Sequence, residues 1–147
     1  MVADYRIYPR YVQGDVMYLA PTAVYEVGGR IIDETGADRV INRTFFTHAV
    51  QGDATLIAAQ GPGVKIRIVG LSISSARFFQ AGAFFKSDTN QISHLFFLGG
   101  GVVTSIIYPF SAHGWFQTNA NEALIWNVDN VPAAETSTIH LLWVQAT

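Results

Sequence analysis

The stretch Val64-Lys65-Ile66-Arg67-Ile68 alternates apolar and basic residues, and after Val69-Gly70 the apolar phase moves to Leu71 and Ile73. A period of two marks a strand with one face in a core and one in water. A slip of that phase at a glycine is what a β-bulge or a sheet corner produces. One long strand of this kind needs pairing partners, and the rest of the chain supplies them. β-Branched and aromatic runs follow at residues 92–98, 102–108, 115–118, 123–128 and 138–144. Between them stand Ser87-Asp88-Thr89-Asn90, Gly99-Gly100-Gly101, Ala112-His113-Gly114, Asn119-Ala120-Asn121 and the stretch 129–135 with Pro132, all suited to turns. No amphipathic helix interrupts this rhythm. The fold class is all-β, an antiparallel sandwich or barrel.

The chain has 147 residues, the length of one ordinary domain. Half of them are hydrophobic and 14% are charged, against about 25% charged in a typical soluble domain. Such a composition builds a core and excludes wholesale disorder. Apolar runs are broken well before the roughly 18 residues that a spanning helix needs, so no membrane partner is expected. The net charge of −2 gives no electrostatic case for nucleic acid. There are no cysteines, which removes disulfides, thiolate metal sites and cysteine nucleophiles. The start, Met1-Val2-Ala3-Asp4-Tyr5-Arg6, lacks a basic region followed by an apolar stretch, so no secretory signal is expected.

The charges are unevenly spread. Up to Arg77 there are eight basic and seven acidic residues; from Phe78 to Thr147 there are Lys86, Asp88, Glu122, Asp129 and Glu135 alone. A large charge-poor apolar surface marks an interface, although Ser, Thr, Asn and Gln could hydrate it on a monomer. The last strand has Ile139, Leu141 and Trp143 on one face and His140, Leu142 and Val144 on the other. Both faces are largely apolar, as in a strand packed in its own sandwich and against a neighbouring subunit. Phe78-Phe79, Phe84-Phe85 and Phe96-Phe97 are doublets, and adjacent strand residues point to opposite faces, so each doublet buries one ring and offers the other. Phe79, Phe85, Phe97, Leu142 and Val144 are the expected subunit-interface residues.

Residues 1–42 read as an extended N-terminal arm ahead of a sandwich spanning 43–147. Tyr5, Tyr8, Tyr11, Tyr18 and Tyr25 are interspersed with Pro9, Pro21 and much of the charge, and extended pieces fit at 15–19 and 30–33, with room for a hairpin. Tyrosine supplies contact area at low entropic cost, which makes Tyr5, Tyr8, Tyr11 and Tyr18 the expected contact residues of the arm. The alternative is that this segment provides the first two strands of the sandwich itself.

Catalytic motifs are lacking. His48, His94, His113 and His140 have no partner at metal-ligand spacing, so no metal is expected. Asp33-Glu34 and Asp38 lack the spacing of a calcium loop. There is no Gly-x-Ser-x-Gly or Ser-x-x-Lys, and Gly61-Pro62-Gly63 and Gly99-Gly100-Gly101 precede neither a helix nor a Lys-Ser/Thr pair. Glu122 and Asp129 could meet in space as a glycosidase pair, an arrangement any sandwich can reach by chance. Neither an enzyme nor a cofactor is expected. Trp115, with Trp126 and Trp143, could form an aromatic platform for a sugar or another protein, although strand aromatics more often fill a core.

The order Gly63-Val64-Lys65-Ile66-Arg67-Ile68-Val69-Gly70-Leu71, then Gly114-Trp115-Phe116-Gln117-Thr118, then Glu122-Ala123-Leu124, closing on a hydrophobic strand, resembles the small jelly-roll module of tailed-bacteriophage virion proteins. The resemblance covers roughly residues 43–147 and implies a single jelly-roll-like antiparallel β-sandwich. It also implies a structural part of a virion, most like a head decoration (capsid cement) protein. The partners would be the major capsid protein and other copies of the chain in a homotrimer, on the capsid exterior after synthesis in the host cytoplasm. The alternative is a receptor- or glycan-binding domain of a tail fibre or spike.

Overall fold

A computed structural model describes residues 29–32, 36–77, 80–129 and 136–147. These form an antiparallel β-sandwich without a helix among the described residues. The strands are β1 (Arg30–Ile32), β2 (Asp38–Val40), β3 (Asn42–His48), β4 (Gly52–Ile57), β5 (Lys65–Arg77), β6 (Ala81–Ser87), β7 (Asn90–Gln91), β8 (Phe96–Leu98), β9 (Val102–Tyr108), β10 (Phe116–Gln117), β11 (Leu124–Val128) and β12 (Thr136–Ala146).

One layer, the long sheet, runs β3-β12-β5, with β5 long enough to pair β10 along its first half and β9 along its second. The other, the short sheet, runs β4-β11-β6, with β7 and β8 both on the far side of β6. The alternation read from residues 64–73 is the centre of the long sheet. Ile66 and Ile68 are buried in the sandwich core, and Leu71 and Ile73 resume the same face after the slip. Leu142 of β12 pairs with Gly70 and Trp143 with Ile68, so Val69 is the extra residue of a bulge.

The core lies between the sheets. Ile139, Leu141 and Trp143 from β12 meet Ala83 and Phe85 from β6 and Leu124, Trp126 and Val128 from β11. Phe85 packs its ring 4.7 Å from Trp126 and 5.9 Å, edge-on, from Phe96. Each such side chain taken fully from water contributes about 1.5–3 kcal/mol. The Trp126 indole N–H has no hydrogen-bond partner in this core.

A second, smaller cluster sits outside the long sheet. Ile31, Ile41, Val69 and Val144 are all buried together, with Phe110, Ala112 and Leu142 packed against them. The hairpin β1–β2 supplies Ile31, pairs in register Arg30↔Val40 to Ile32↔Asp38, and is pinned by the Arg30–Asp38 ion pair at 2.8 Å. Ile41 N–H donates to Gly29 O at 2.8 Å, closing the hairpin directly onto the start of β3. Residues 109–115 complete the cover: Ser111 N–H donates to Val69 O and Trp115 N–H to Ile68 O, so this loop is tied to the backbone at the bulge.

This cluster corrects the interface reading of the last strand. Val144 is fully buried under the chain's own hairpin, and Leu142 is half-buried against the same cluster, so no neighbouring subunit is needed to cover that end of β12. Phe85 is likewise corrected. It lies in the sandwich core with no exposure, and the outward member of its doublet is Phe84, in phase with Lys86. Phe96 and Phe97 divide as expected, with Phe97 61% exposed. Phe79, like Tyr5, Tyr8, Tyr11 and Tyr18, lies outside the described residues. Of the stretch 92–98, read as one strand, only 96–98 form one; Ile92 N–H donates to Phe85 O at 2.9 Å, and Ser93 Oγ accepts from Phe85 N–H where the chain bends away.

Candidate functional site: the outer face of the long sheet

The register of β3, β12, β5 and β9 lines residues up in rows across the outer face. Phe45, His140, Ser72 and Ile107 form one row; Thr47, Thr138, Ser74 and Ser105 form the next; Thr136, Ala76 and Val103 form a third. These positions alternate with the core residues of the same strands, so they face away from the sandwich. No carboxylate or lysine occurs in the three rows. Phe45, Ile107 and Val103 are 59%, 69% and 72% exposed, unusual values for large apolar side chains on one face. The His140 ring stacks edge-on against Phe45 with centroids 4.4 Å apart. Where this face meets the hairpin-covered end there is a groove of about 460 Å³, with Arg43, Ser72, Ile107, Phe110, His140 and Leu142 among its walls.

The outer face of the short sheet is built differently. Asp53 of β4 receives hydrogen bonds from Lys86 Nζ at 2.6 Å and Asn127 Nδ2 at 2.5 Å, three neighbouring strands contributing one group each. The Lys86 hydrogen bond, and then that of Asn127, hold the Asp53 carboxyl below the usual carboxylate range. At one end of this sheet Ser87 Oγ donates to Glu122 Oε2, and Asn119 N–H donates to Ser87 Oγ at 2.8 Å. At the other, Asp129 Oδ1 accepts from Gly82 N–H at 2.5 Å, and a Cβ on Gly82 would lie 2.8 Å from that oxygen. Glu122 and Asp129 therefore bracket opposite ends of β11. Over seven residue steps at roughly 3.3 Å each they stand about 23 Å apart along the chain, too far to act as a glycosidase pair.

A second surface feature lies beyond β10. Trp115 is 46% exposed, whereas Trp126 and Trp143 are core residues. Its indole N–H donates to Pro109 O at 2.8 Å, and its ring lies 4.8 Å from that of Tyr108. Tyr108, whose hydroxyl sits 2.7 Å from His94 Nε2, has its pKa raised by burial. Beside Trp115 is a shallow hollow of about 220 Å³ walled by Arg67, His113, Gly114 and Gln117. Arg67 is largely buried and its Nε donates to Gln117 Oε1 at 3.1 Å. Gly114 has φ +80°, and a Cβ there would come within 2.6 Å of Arg67 Cγ, so glycine is required for the loop to lie over this side chain.

The other residues singled out in the sequence are scattered. His48 is buried at the end of β3, His113 lies in the turn before Trp115, and His94 is in the loop before β8. Among the described residues no three His, Asp or Glu side chains gather as metal ligands. Asp33 and Glu34 are outside the described residues, and Asp38 is the partner of Arg30. Gly61, Gly63 and Gly99 to Gly101 all have positive φ in turns between strands. Phe45 was not singled out by the sequence, although Phe45-Phe46 is a doublet like the others; its alternation with Arg43 and Thr47 was the available signal. No known family model matches the chain, and no curated protein matches it.

Proposed function

We propose that this chain is a non-catalytic structural protein of a phage virion, a head decoration protein that binds the assembled capsid shell as a homotrimer. The observation that supports this reading is the open part of the long sheet's outer face: three rows without carboxylate or lysine, carrying Phe45, Ile107 and Val103 in the open. A face of this kind stabilises an assembly when covered and costs solubility when bare. Its resemblance to the virion jelly-roll module supplies the class of partner. Whatever binds only the expanded shell stabilises that state by mass action, and many copies multiply a modest contact energy.

The test is co-sedimentation of the full-length protein with expanded, undecorated shells of the encoding phage. The wild type saturates the shells; Phe45→Lys, on the open face, binds at least about tenfold more weakly while melting at the same temperature. Equal binding by both would remove the face from the account. Deletion of residues 2–28, which leaves the hairpin β1–β2 in place, separately tests the contact assigned to Tyr5, Tyr8, Tyr11 and Tyr18.

A second reading is favoured by Trp115. An exposed indole beside Arg67, His113 and Gln117 suits a glycan, with the ring stacking on a sugar face. It predicts binding to host-surface glycans that Trp115→Ala abolishes, and no binding to shells.

A further inference from the structure

We propose that β9 is a strand-pairing edge for a second copy of this chain, joined antiparallel about a two-fold axis through Ser105. This goes beyond shell binding, since it requires no shell and uses the strand's backbone edge as well as its face.

Among the described residues, β9 pairs with β5 on one side only. Its sequence, Val102 to Tyr108, has no charge, no proline and no register irregularity against β5. Sheet edges are ordinarily guarded by just those devices, or by being very short. The other edges of the sandwich follow that rule. β3 carries exposed Arg43, β4 carries exposed Asp53, and β7, β8 and β10 are two or three residues long. Seven unguarded residues on β9 stand apart from all of them.

The occupant follows from the strand's own pattern. Two antiparallel copies centred on Ser105 place Val103 opposite the second copy's Ile107, and Ile107 opposite its Val103. These two residues are 72% and 69% exposed on the same outer face, four positions apart with Ser105 midway. The two-fold therefore covers the most exposed aliphatic residues of the long sheet with each other, as a cross-strand pair on each side of the axis. An unrelated peptide would match only by chance, whereas the copy matches by symmetry. Nothing charged stands across the axis, because the strand there is the second copy's uncharged β9, and Ser72, Ser74 and Ala76 are the β5 partners of Ile107, Ser105 and Val103. The result is one continuous sheet running β3-β12-β5-β9 and back through the second copy. A two-fold contact cannot close a trimer, so in a trimeric assembly it links one trimer to the next.

The chain contains no cysteine, which makes a direct test available. Opposed residues of an antiparallel pair have Cα atoms about 4.5–5.5 Å apart, within disulfide reach. In the full-length protein, Ser105→Cys forms a covalent dimer under mild oxidation at least about tenfold faster than Thr55→Cys, an exposed position on the short-sheet edge. Equal rates overturn the proposal. A second arm is independent of disulfide geometry. V103K/I107K sets lysine against lysine across the axis and weakens self-association at least about tenfold by sedimentation; V103D/I107K sets an aspartate of one copy against a lysine of the other and restores it. A V103D/I107K protein that associates no better than V103K/I107K, both being folded by circular dichroism, overturns the register.

Discussion

The outer face of the long sheet has two halves on the same strands, divided by the bulge at Val69. On one side Val69, Leu142 and Val144 lie under Ile31, Ile41, Phe110 and Ala112, all from this chain. On the other, Phe45, Ile107 and Val103 stand open among serines and threonines. The halves share backbone and neighbours, so strand propensity does not distinguish them. What differs is whether a hairpin and a loop of the same molecule reach across. The covered apolar half belongs to folding; in the reading proposed above, the uncovered one belongs to association.

Substitutions should separate the two halves by the quantity each one changes. The largest effect is expected from Ile41→Ala. It empties a fully buried position between the hairpin and the sheet, and a buried Ile→Ala change typically costs about 2–5 kcal/mol. Chemical denaturation should show that loss without any change in association per folded molecule. Gly114→Ala comes next. Its positive φ and the 2.6 Å approach to Arg67 Cγ would strain or lift the covering loop, for a loss of about 1–3 kcal/mol by the same measurement. On the open half, Ile107→Ser should change stability by no more than about 0.5 kcal/mol, as surface substitutions do, yet reduce self-association measured by sedimentation. If it unfolded the protein instead, the two halves would not differ in the way described.

The smallest effect belongs to the opposite, charged sheet. The folded pKa of Asp53 lies below its ordinary value because Lys86 and then Asn127 donate to the carboxylate. The stability from this network is therefore present above the ordinary carboxylate range and lost as pH falls through the lowered folded value. Asp53 is exposed to water, which screens its pairing with the largely covered Lys86, so the pair contributes under about 1 kcal/mol. Asp53→Asn should lower stability at neutral pH by under about 1 kcal/mol and leave it unchanged at pH below the folded value, which flattens the acid limb of the stability–pH curve.

Much of this architecture was legible in residue order. The phase slip after Val69-Gly70 is the bulge itself, and the apolar character of both faces of β12 is real. What covers the second face was not legible, because a period of two reports that a face is dry without saying which segment dries it. Ile31 and Ile41 lie far before Val144 in the chain, and only the docked hairpin brings them together. The Phe84-Phe85 doublet shows a different gap. Adjacent rings must split between faces, but the choice depends on phase, and Lys86 two residues after Phe84 already marked the wet side. Phe45 was overlooked because its strand, β3, is bounded by Asn42 and His48 and shows little apolar alternation. Its exposure follows from sharing a face with Arg43 and Thr47.

The most direct measurement of the central claim, that the open half of the long sheet is an assembly surface, is the native mass of the full-length protein by light scattering across the micromolar range. A mass above that of one chain is expected, falling toward one chain when Phe45→Lys is combined with V103K/I107K at unchanged melting temperature. A single-chain mass for the wild type at every concentration would contradict it, and would mean that the serines and threonines of that face suffice to keep it in water.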